Sequence, residues 1–178
     1  MNCSILIAGF GGQGVLSLGK LICMAADRMG LYATFFPSYG GEQRGGTCNC
    51  TVVLSDEEVG TPVVSQADYV IIMNLPSYEK FRGSTVEGGK VIVNVSQVKE
   101  ALNHKQENEI LIEADETAHQ LGSKMAANMV VLGSFVELSQ ILDAAVVDET
   151  IQEVMKKKPQ LLATNRNAYE AGRKLVAR

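Results

Sequence analysis

The residues best suited to bind a ligand lie in the glycine-rich segment GFGGQG, residues 9–14. The segment follows a short apolar run, precedes apolar residues at helical spacing, and has the spacing G-x-G-x-x-G. Gly9 would permit a tight turn, Gly11 would let backbone approach a ligand, and Gly14 would let the helix pack closely on the strand. The helix that follows would present free N–H groups and a positive dipole end to an anion. We therefore predict that this loop faces a phosphate group or the backbone of another chain.

Two nucleotide sites that share parts of this motif fit the sequence less well. An NAD or FAD site needs an acidic residue about 20 residues further on, at the end of the second strand. That region reads FFPS at 35–38, and the next carboxylate is Glu42. A P-loop is half-matched at 14–20, but Leu21 stands where a Ser or Thr would bind Mg²⁺, and Lys20 falls inside the predicted helix. Tight packing of strand, turn and helix without a ligand stays open as an alternative.

A second loop, SYGGEQRGG at 38–46, carries residues suited to anion binding. The planar guanidinium of Arg44 matches phosphate or carboxylate, and the glycine pair after it lets backbone come close. Tyr39 would stack or hydrogen-bond nearby. A salt bridge from Arg44 to Glu42 or to a neighbouring helix is the structural alternative.

The elements that would position these loops alternate between strand and helix. Strands are predicted at 3–8, 31–37, 47–55, 67–74, 88–95 and 109–115. Helices are predicted directly after the first loop, around 76–81, from Asp115, and at 125–142, 148–157 and 160–176.

The first two predicted strands and the helix between them form a βαβ unit, so these strands should be parallel, with both loops at their carboxyl edge. Pro37 is expected to end the second strand. The third strand alternates polar and apolar residues, which favours a place near an edge of the sheet or facing a partner. We predict one domain, residues 1–178: an α/β fold in three layers, with a mostly parallel sheet, a Rossmann-like N-terminal βαβ unit and a helical C-terminal third.

Composition excludes several classes of function. The formal net charge is −4 and 46% of the residues are hydrophobic, whereas nucleic-acid binding needs a dense Lys/Arg face. No apolar stretch approaches the ~20 residues of a membrane span. No signal sequence is evident, so a cytoplasmic location with reduced cysteines is expected. The cysteines lack metal-site spacing, and Cys48 and Cys50 should share one face of a strand.

Several other polar residues and a methionine are explained by structural roles, without a ligand. His119 is predicted to lie at the surface of a helix, and Asp115 and Glu116 to stabilise the start of that helix. Met125 fits core or interface packing on a helical pattern. Asn128 is the exception, because it lies in an otherwise apolar helix and a buried Asn needs hydrogen-bond partners.

Four segments, in order along the chain, resemble the gamma subunit of 2-oxoacid:ferredoxin oxidoreductases. They are GFGGQGV, PSYGGEQRGG, the AD before the fourth strand, and NMVVLGSF at 128–135, and NRNAYEAG near the C-terminus also fits. The same module forms one domain of single-chain pyruvate:ferredoxin oxidoreductases. Gly41 stands where Pro is frequent in the family and Gln43 where a small residue is frequent, which bears on the conformation of the second loop.

The resemblance implies an anaerobic-type enzyme that converts a 2-oxo acid and coenzyme A to acyl-CoA and CO₂ and reduces ferredoxin. This sequence has neither a thiamine diphosphate motif nor closely spaced cluster cysteines. Thiamine diphosphate, Mg²⁺ and iron–sulfur clusters would therefore belong to alpha and beta subunits. The resemblance also allows a ferredoxin-like delta subunit in the complex. The chain would not act alone, and selection among pyruvate, 2-oxoglutarate, branched-chain and aryl 2-oxo acids would lie on other chains. The separate, short chain favours an enzyme for 2-oxoglutarate or for 2-oxo acids in general.

The resemblance also places coenzyme A at or near this module as a co-substrate, in a site shared with other chains. No residue is expected to be catalytic or to bind a metal. A stand-alone Rossmann-type oxidoreductase and a purely structural subunit remain as alternatives. The residues expected to contact the ligand or a partner are Gly9, Gly11, Gly12, Gln13, Gly14, Ser38, Tyr39, Arg44, Gly45 and Gly46.

Overall fold

A computed structural model describes residues 1–39, 47–60 and 64–177, and over these the chain forms one six-stranded sheet. The strand order is β2-β3-β1-β4-β5-β6, and five of the six strands run in the same direction. The strands are β1 Asn2–Phe10, β2 Tyr32–Tyr39, β3 Thr47–Ser55, β4 Ala67–Ile72, β5 Thr85–Asn94 and β6 Glu109–Ile112. The predicted α/β class with a mostly parallel sheet is confirmed.

The antiparallel strand β3 is the main departure from an ordinary Rossmann unit. It lies between β1 and β2 and pairs with both over its whole length. The first two strands are therefore parallel in direction, as predicted, but they are not neighbours. The local pattern of β3 could not show this, because alternation is the same for a parallel and an antiparallel partner.

The strand β2 continues through Pro37, so the prediction that this proline ends the strand is wrong. Pro37 pairs with Cys50 of β3, and β2 is the edge strand of the sheet. A proline is tolerated on an edge strand because its missing N–H can face outward, away from the ladder. The next two residues then extend the strand to Tyr39.

Helices cover both faces of the sheet, but unequally. One face packs against α1, α3, α4, α5 and α6, and the other against α2 and a 3-10 turn at Lys99–Leu102. The α-helices are α1 Val15–Arg28, α2 Leu75–Phe81, α3 Ala114–Gln120, α4 Ala127–Ser139, α5 Ala144–Met155 and α6 Leu162–Val176. This arrangement confirms the three layers and the helical C-terminal third. In the described part of the chain, none of the helices combines the length and apolarity that a membrane span requires.

The α4 helix is enclosed on all sides, which explains its apolar sequence. Residues 127–136 are all buried, and α6 crosses α4 at a pair of glycines. A Cβ on Gly133 would lie 2.9 Å from the backbone nitrogen of Arg173, and one on Gly172 would lie 2.7 Å from the carbonyl carbon of Val130. The backbones of the two helices are therefore in direct contact at this crossing.

The buried cysteines give the fold a sensitivity to alkaline pH. Burial raises the pKa of Cys3 to about 12 and that of Cys50 to about 12, from an ordinary value of 9.0. Cys48 and Cys50 both face the core below α1, as predicted for alternate residues of a strand. Both buried thiols therefore stay protonated in the folded chain at a pH where unfolded thiols ionise.

We expect the free energy of unfolding to fall as the pH rises above about 9 and to keep falling towards pH 12. The unfolded state then binds fewer protons than the folded state, so each buried thiol costs about 1.4 kcal/mol at about pH 10. Urea denaturation of the chain at about pH 8 and about pH 10 measures this loss. The Cys50→Ala variant should lose about 1.4 kcal/mol less than the wild type, and equal losses would contradict the assignment to this thiol.

Candidate functional site

The glycine loop after β1 is closed by the side chain and the backbone of Gln13. The Gln13 N–H donates to the Phe10 carbonyl oxygen at 3.2 Å, and Gln13 Oε1 accepts from the Phe10 N–H at 2.7 Å. The backbone N–H of Gln13 is thus used within the turn. Gln13 thus shapes the loop through its own hydrogen bonds, and its contact with a ligand or a partner stays a prediction.

The same side chain ties the loop to the strand beside it. Gln13 Nε2 donates to the Met73 carbonyl oxygen at 3.0 Å, and Asn74 Nδ2 donates to Gln13 Oε1 at 3.3 Å. Asn74 in turn caps α2, because its Oδ1 accepts from the Ser77 N–H at 2.9 Å. The loop after β1, the end of β4 and the start of α2 therefore form one hydrogen-bonded unit.

The glycines of the loop fall into two groups. Gly9 lies within β1 rather than in the turn, and a Cβ on it would lie 2.9 Å from Met73 Cβ and Val15 Cγ2. Gly14 packs closely, as predicted, but on α4 rather than on the strand, since a Cβ there would lie 2.8 Å from Asn128 Cγ. By contrast, a Cβ on Gly11 or Gly12 would meet no heavy atom within 4 Å. Close packing therefore explains why glycine stands at positions 9 and 14. The backbone at Gly11 and Gly12 is instead bare, because none of the residues that the structure describes covers it.

The start of α1 next to this bare backbone is unusually positive. Gly14 occupies the N-cap position at φ 77°, no side chain caps the helix, and its first turn carries no acidic residue. The first N–H that bonds inside the helix is that of Leu18, to the Gly14 carbonyl oxygen at 2.9 Å. The earlier N–H groups and the dipole of a 14-residue helix therefore point at the loop, and the first turn of the helix adds no negative charge of its own.

The structure brings the end of β2 to the same edge of the sheet. Phe10 at the end of β1 pairs with Thr47, and Tyr39 at the end of β2 pairs with Cys48. Both strands therefore end beside the first residues of β3, about 10 Å apart, which is two strand spacings. The second loop begins here, but Arg44, Gly45 and Gly46 lie outside the described residues.

Ser38 is placed less favourably for a shared site. It pairs with Asn49, and directly opposed residues of antiparallel strands share a face. The neighbours of Asn49, Cys48 and Cys50, face the core below α1. The exposed Ser38 side chain therefore lies on the face of the sheet away from α1. Its predicted role beside the glycine loop is not supported by this orientation.

A cleft of about 510 Å³ opens at the carboxyl ends of β1, β4, β5 and β6. Its walls are Gly12, Gln13, Met73, Ser96, Gln97, Asp115, Glu116, His119, Lys124, Met125 and Ala127. The surface position predicted for His119 and the helix-start position predicted for Asp115 and Glu116 are confirmed. Met125 is 80% exposed on the rim of this cleft, so it does not fill the core.

The cleft lies where ligands bind in open α/β sheets. On its two sides α1 and α2 pack on opposite faces of the sheet, so the chain leaves β1 and β4 in opposite directions. Such a switch point leaves a crevice outside the strand ends. An NAD site of Rossmann type would also need a parallel β2 beside β1, with an acid at its end to hold the ribose. Here β3 occupies that place, and β2 ends at Ser38 and Tyr39.

Comparison with known proteins assigns the chain to a family. The model of the pyruvate ferredoxin/flavodoxin oxidoreductase family matches residues 4–175. The chain belongs to this family. The resemblance seen in the sequence motifs is thereby confirmed.

Three relatives show how the family module occurs. A ketoisovalerate oxidoreductase subunit VorA of Methanothermobacter marburgensis is 38% identical over 94% of the chain, but the match spans only 35% of VorA. A 2-oxoglutarate synthase subunit KorC of Methanothermobacter thermautotrophicus is 34% identical, with 97% of the chain and 94% of KorC covered. A solved structure of 2-oxoglutarate:ferredoxin oxidoreductase from Magnetococcus marinus, with 2-oxoglutarate, coenzyme A and succinyl-CoA bound, has a TM-score of 0.88 at 26% identity.

The lengths of these relatives differ in an informative way. The match covers 98% of this chain but 31% of the Magnetococcus marinus chain, and the chain likewise spans about a third of VorA. The module of the pyruvate ferredoxin/flavodoxin oxidoreductase family thus occurs both as a nearly whole subunit and as part of a longer chain.

Proposed function

We propose that this chain is the gamma-type subunit of a thiamine diphosphate-dependent 2-oxoacid:ferredoxin oxidoreductase. The complex would convert a 2-oxo acid, coenzyme A and oxidised ferredoxin to acyl-CoA, CO₂ and reduced ferredoxin. Thiamine diphosphate and the iron–sulfur clusters would be supplied by alpha and beta subunits. The KorC match over nearly the whole of both chains supports a subunit role, and the coenzyme A bound in the Magnetococcus marinus relative supports a role near this carrier.

The contribution of this chain would be to bind the phosphate groups of coenzyme A and hold the carrier against the neighbouring subunits. The observation that carries this proposal is the bare backbone at Gly11 and Gly12, beside an uncapped helix start at the carboxyl edge of the sheet. Arg44, with Gly45 and Gly46, would supply the cation from the adjoining loop, and Tyr39 marks where that loop begins. The acidic wall of the cleft, Asp115 and Glu116, would keep the phosphates on the glycine side.

The Gly11→Leu variant of the assembled complex tests this proposal. Space is open around Gly11 and its φ is not positive, so a side chain should not disturb the fold of the chain. It would, however, stand on the surface where the phosphates are proposed to lie. We expect coenzyme A to bind at least about tenfold more weakly by calorimetry, a loss of about 1.4 kcal/mol or more. The Gly83→Leu variant, at another open glycine remote from the cleft, is the matched control.

The outcomes separate the proposal from a purely structural role. Coenzyme A affinity that is unchanged in both Gly11→Leu and Arg44→Ala complexes would contradict the binding role. If Gly11→Leu instead prevents the alpha and beta subunits from co-purifying with this chain, the loop binds a partner chain rather than the carrier.

A further inference from the structure

Asn128 is a polar residue in a helix whose other residues around it are buried and mostly apolar. It is the second residue of α4, its neighbours from Ala126 to Val136 are all buried, and it is itself only 8% exposed. Within the described ranges its side-chain amide makes no hydrogen bond to another residue. Most of this side chain is removed from water, and an amide in such a place needs a hydrogen-bond partner, whereas a leucine has nearly the same branched shape and no such need.

The side chain of Asn128 is directed at the glycine loop. A Cβ on Gly14 would lie 2.8 Å from Asn128 Cγ and 3.1 Å from Asn128 Cβ, and the amide nitrogen is nearer still. Gly14 is the N-cap of α1, so the Asn128 amide lies against the point where the free N–H groups of that helix begin. Its neighbour Ala127 lines the 510 Å³ cleft together with Gly12 and Gln13.

These two features point to one ligand chemistry. The uncapped start of α1 offers N–H donors and a positive dipole end, and the buried amide beside it offers a further donor. A group that accepts hydrogen bonds from several donors at once and carries negative charge satisfies all of them. A carboxylate from a first-turn side chain would do the same, but the first turn of α1 contains none.

We infer that Asn128 is an anion-positioning residue, whose amide and the N–H groups at the start of α1 together hold one phosphate of the acyl carrier. This inference rests on the proposed function, because it deepens the assignment of the same site. Coenzyme A offers two sources of that phosphate, the diphosphate and the 3′-phosphate. Pantetheine carries the same thiol arm without either group.

The assembled complex with Asn128→Asp tests the inference, with Asn167→Asp as control. Aspartate keeps the shape of the side chain but removes the donor and adds a repelling charge. Asn167 is exposed on α6, far along the chain from the loop. We expect coenzyme A to bind at least tenfold more weakly to Asn128→Asp and unchanged to Asn167→Asp, while kcat/KM with pantetheine as acyl acceptor stays within twofold. A similar loss with 3′-dephospho-coenzyme A assigns the diphosphate, and no loss with it assigns the 3′-phosphate.

The shape-matched variant Asn128→Leu provides a readout that a merely structural residue would not give. We expect its Tm without ligand to equal or exceed that of the wild type, while the rise in Tm on adding coenzyme A is lost. A lower Tm without ligand, or equal losses of kcat/KM with coenzyme A and pantetheine, would show that Asn128 only supports the fold. If Gly11→Leu weakens coenzyme A binding and Asn128→Asp does not, this inference fails and the proposed function stands. If Gly11→Leu, Arg44→Ala and Asn128→Asp all leave coenzyme A binding unchanged, both fail.

Discussion

Replacing Gly172 by alanine is expected to destabilise the chain by more than about 3 kcal/mol. A methyl group at this position would overlap the carbonyl group of Val130 on α4. The obstacle is helix backbone rather than the end of a flexible side chain, so α4 and α6 must separate. Their separation would also break the 2.9 Å hydrogen bond from Ser134 Oγ to the Gly172 carbonyl oxygen. Thermal unfolding followed by circular dichroism should show a Tm lower by about 6–12 °C.

The reciprocal position and an open glycine provide the controls. Gly133→Ala should have a comparable effect, because its methyl group would meet the Tyr169 carbonyl group on α6. Gly83→Ala should change the Tm little, since no atom lies within 4 Å of its Cβ position and its φ is not positive. A Gly172→Ala protein as stable as Gly83→Ala would show that the two helices do not cross at these residues.

Replacing Arg82 by methionine is expected to cost about 3–5 kcal/mol, because it would leave a buried carboxylate without its cation. Arg82 Nη2 lies 3.1 Å from Glu109 Oε1 and donates to the His104 carbonyl oxygen at 2.9 Å. The Glu109 side chain is fully buried and accepts from the Tyr78 hydroxyl at 3.2 Å. Burial and this hydrogen bond raise the pKa of Tyr78 to about 12. Urea denaturation at neutral pH measures the loss.

A double-mutant cycle identifies the cause of that loss. Arg82→Met combined with Glu109→Gln should be less destabilised than Arg82→Met alone, since the second change removes the buried charge. Arg166→Met is the matched control for an exposed ion pair with Asp148, and it should destabilise the chain far less than Arg82→Met. Additive losses in the cycle would contradict a coupled buried pair.

Much of the fold follows from local sequence patterns, and the exceptions have physical causes. The buried strands and α4 are apolar runs, and α5 and α6 carry apolar residues at helical spacing, so the sequence predicts their type and approximate ends. The place of β3 between β1 and β2 depends on which edges pair after the chain has collapsed, and no residue of β3 encodes this choice alone. Pro37 was misleading because its meaning depends on whether the strand lies at an edge or in the centre of the sheet.

The candidate site was predicted in part. The predicted order of strand, turn and helix around Gly11 and Gly12 is confirmed. The spacing of the glycines alone does not distinguish those that pack tightly from those whose backbone is exposed. Asp115 and His119 are interpreted separately from the sequence and Gln97 is not singled out, although a signal is present. Asp115 ends one predicted buried strand and Gln97 follows shortly after another, and the carboxyl ends of parallel strands meet at one edge. Contacts made across the fold, such as Gly14 on Asn128 or Gly172 on Val130, leave no trace in local spacing.

The hydrogen bonds of the Gln13 side chain, which connect the ends of β1 and β4, affect how strongly a ligand can bind to this turn. Three hydrogen bonds fix this turn to the rigid centre of the sheet before any carrier arrives. Ordering a flexible loop on association costs conformational entropy for every residue that is immobilised, and here most of that cost has already been met by folding. The turn is thus preorganised, and a molecule that docks on it keeps more of its interaction energy as affinity.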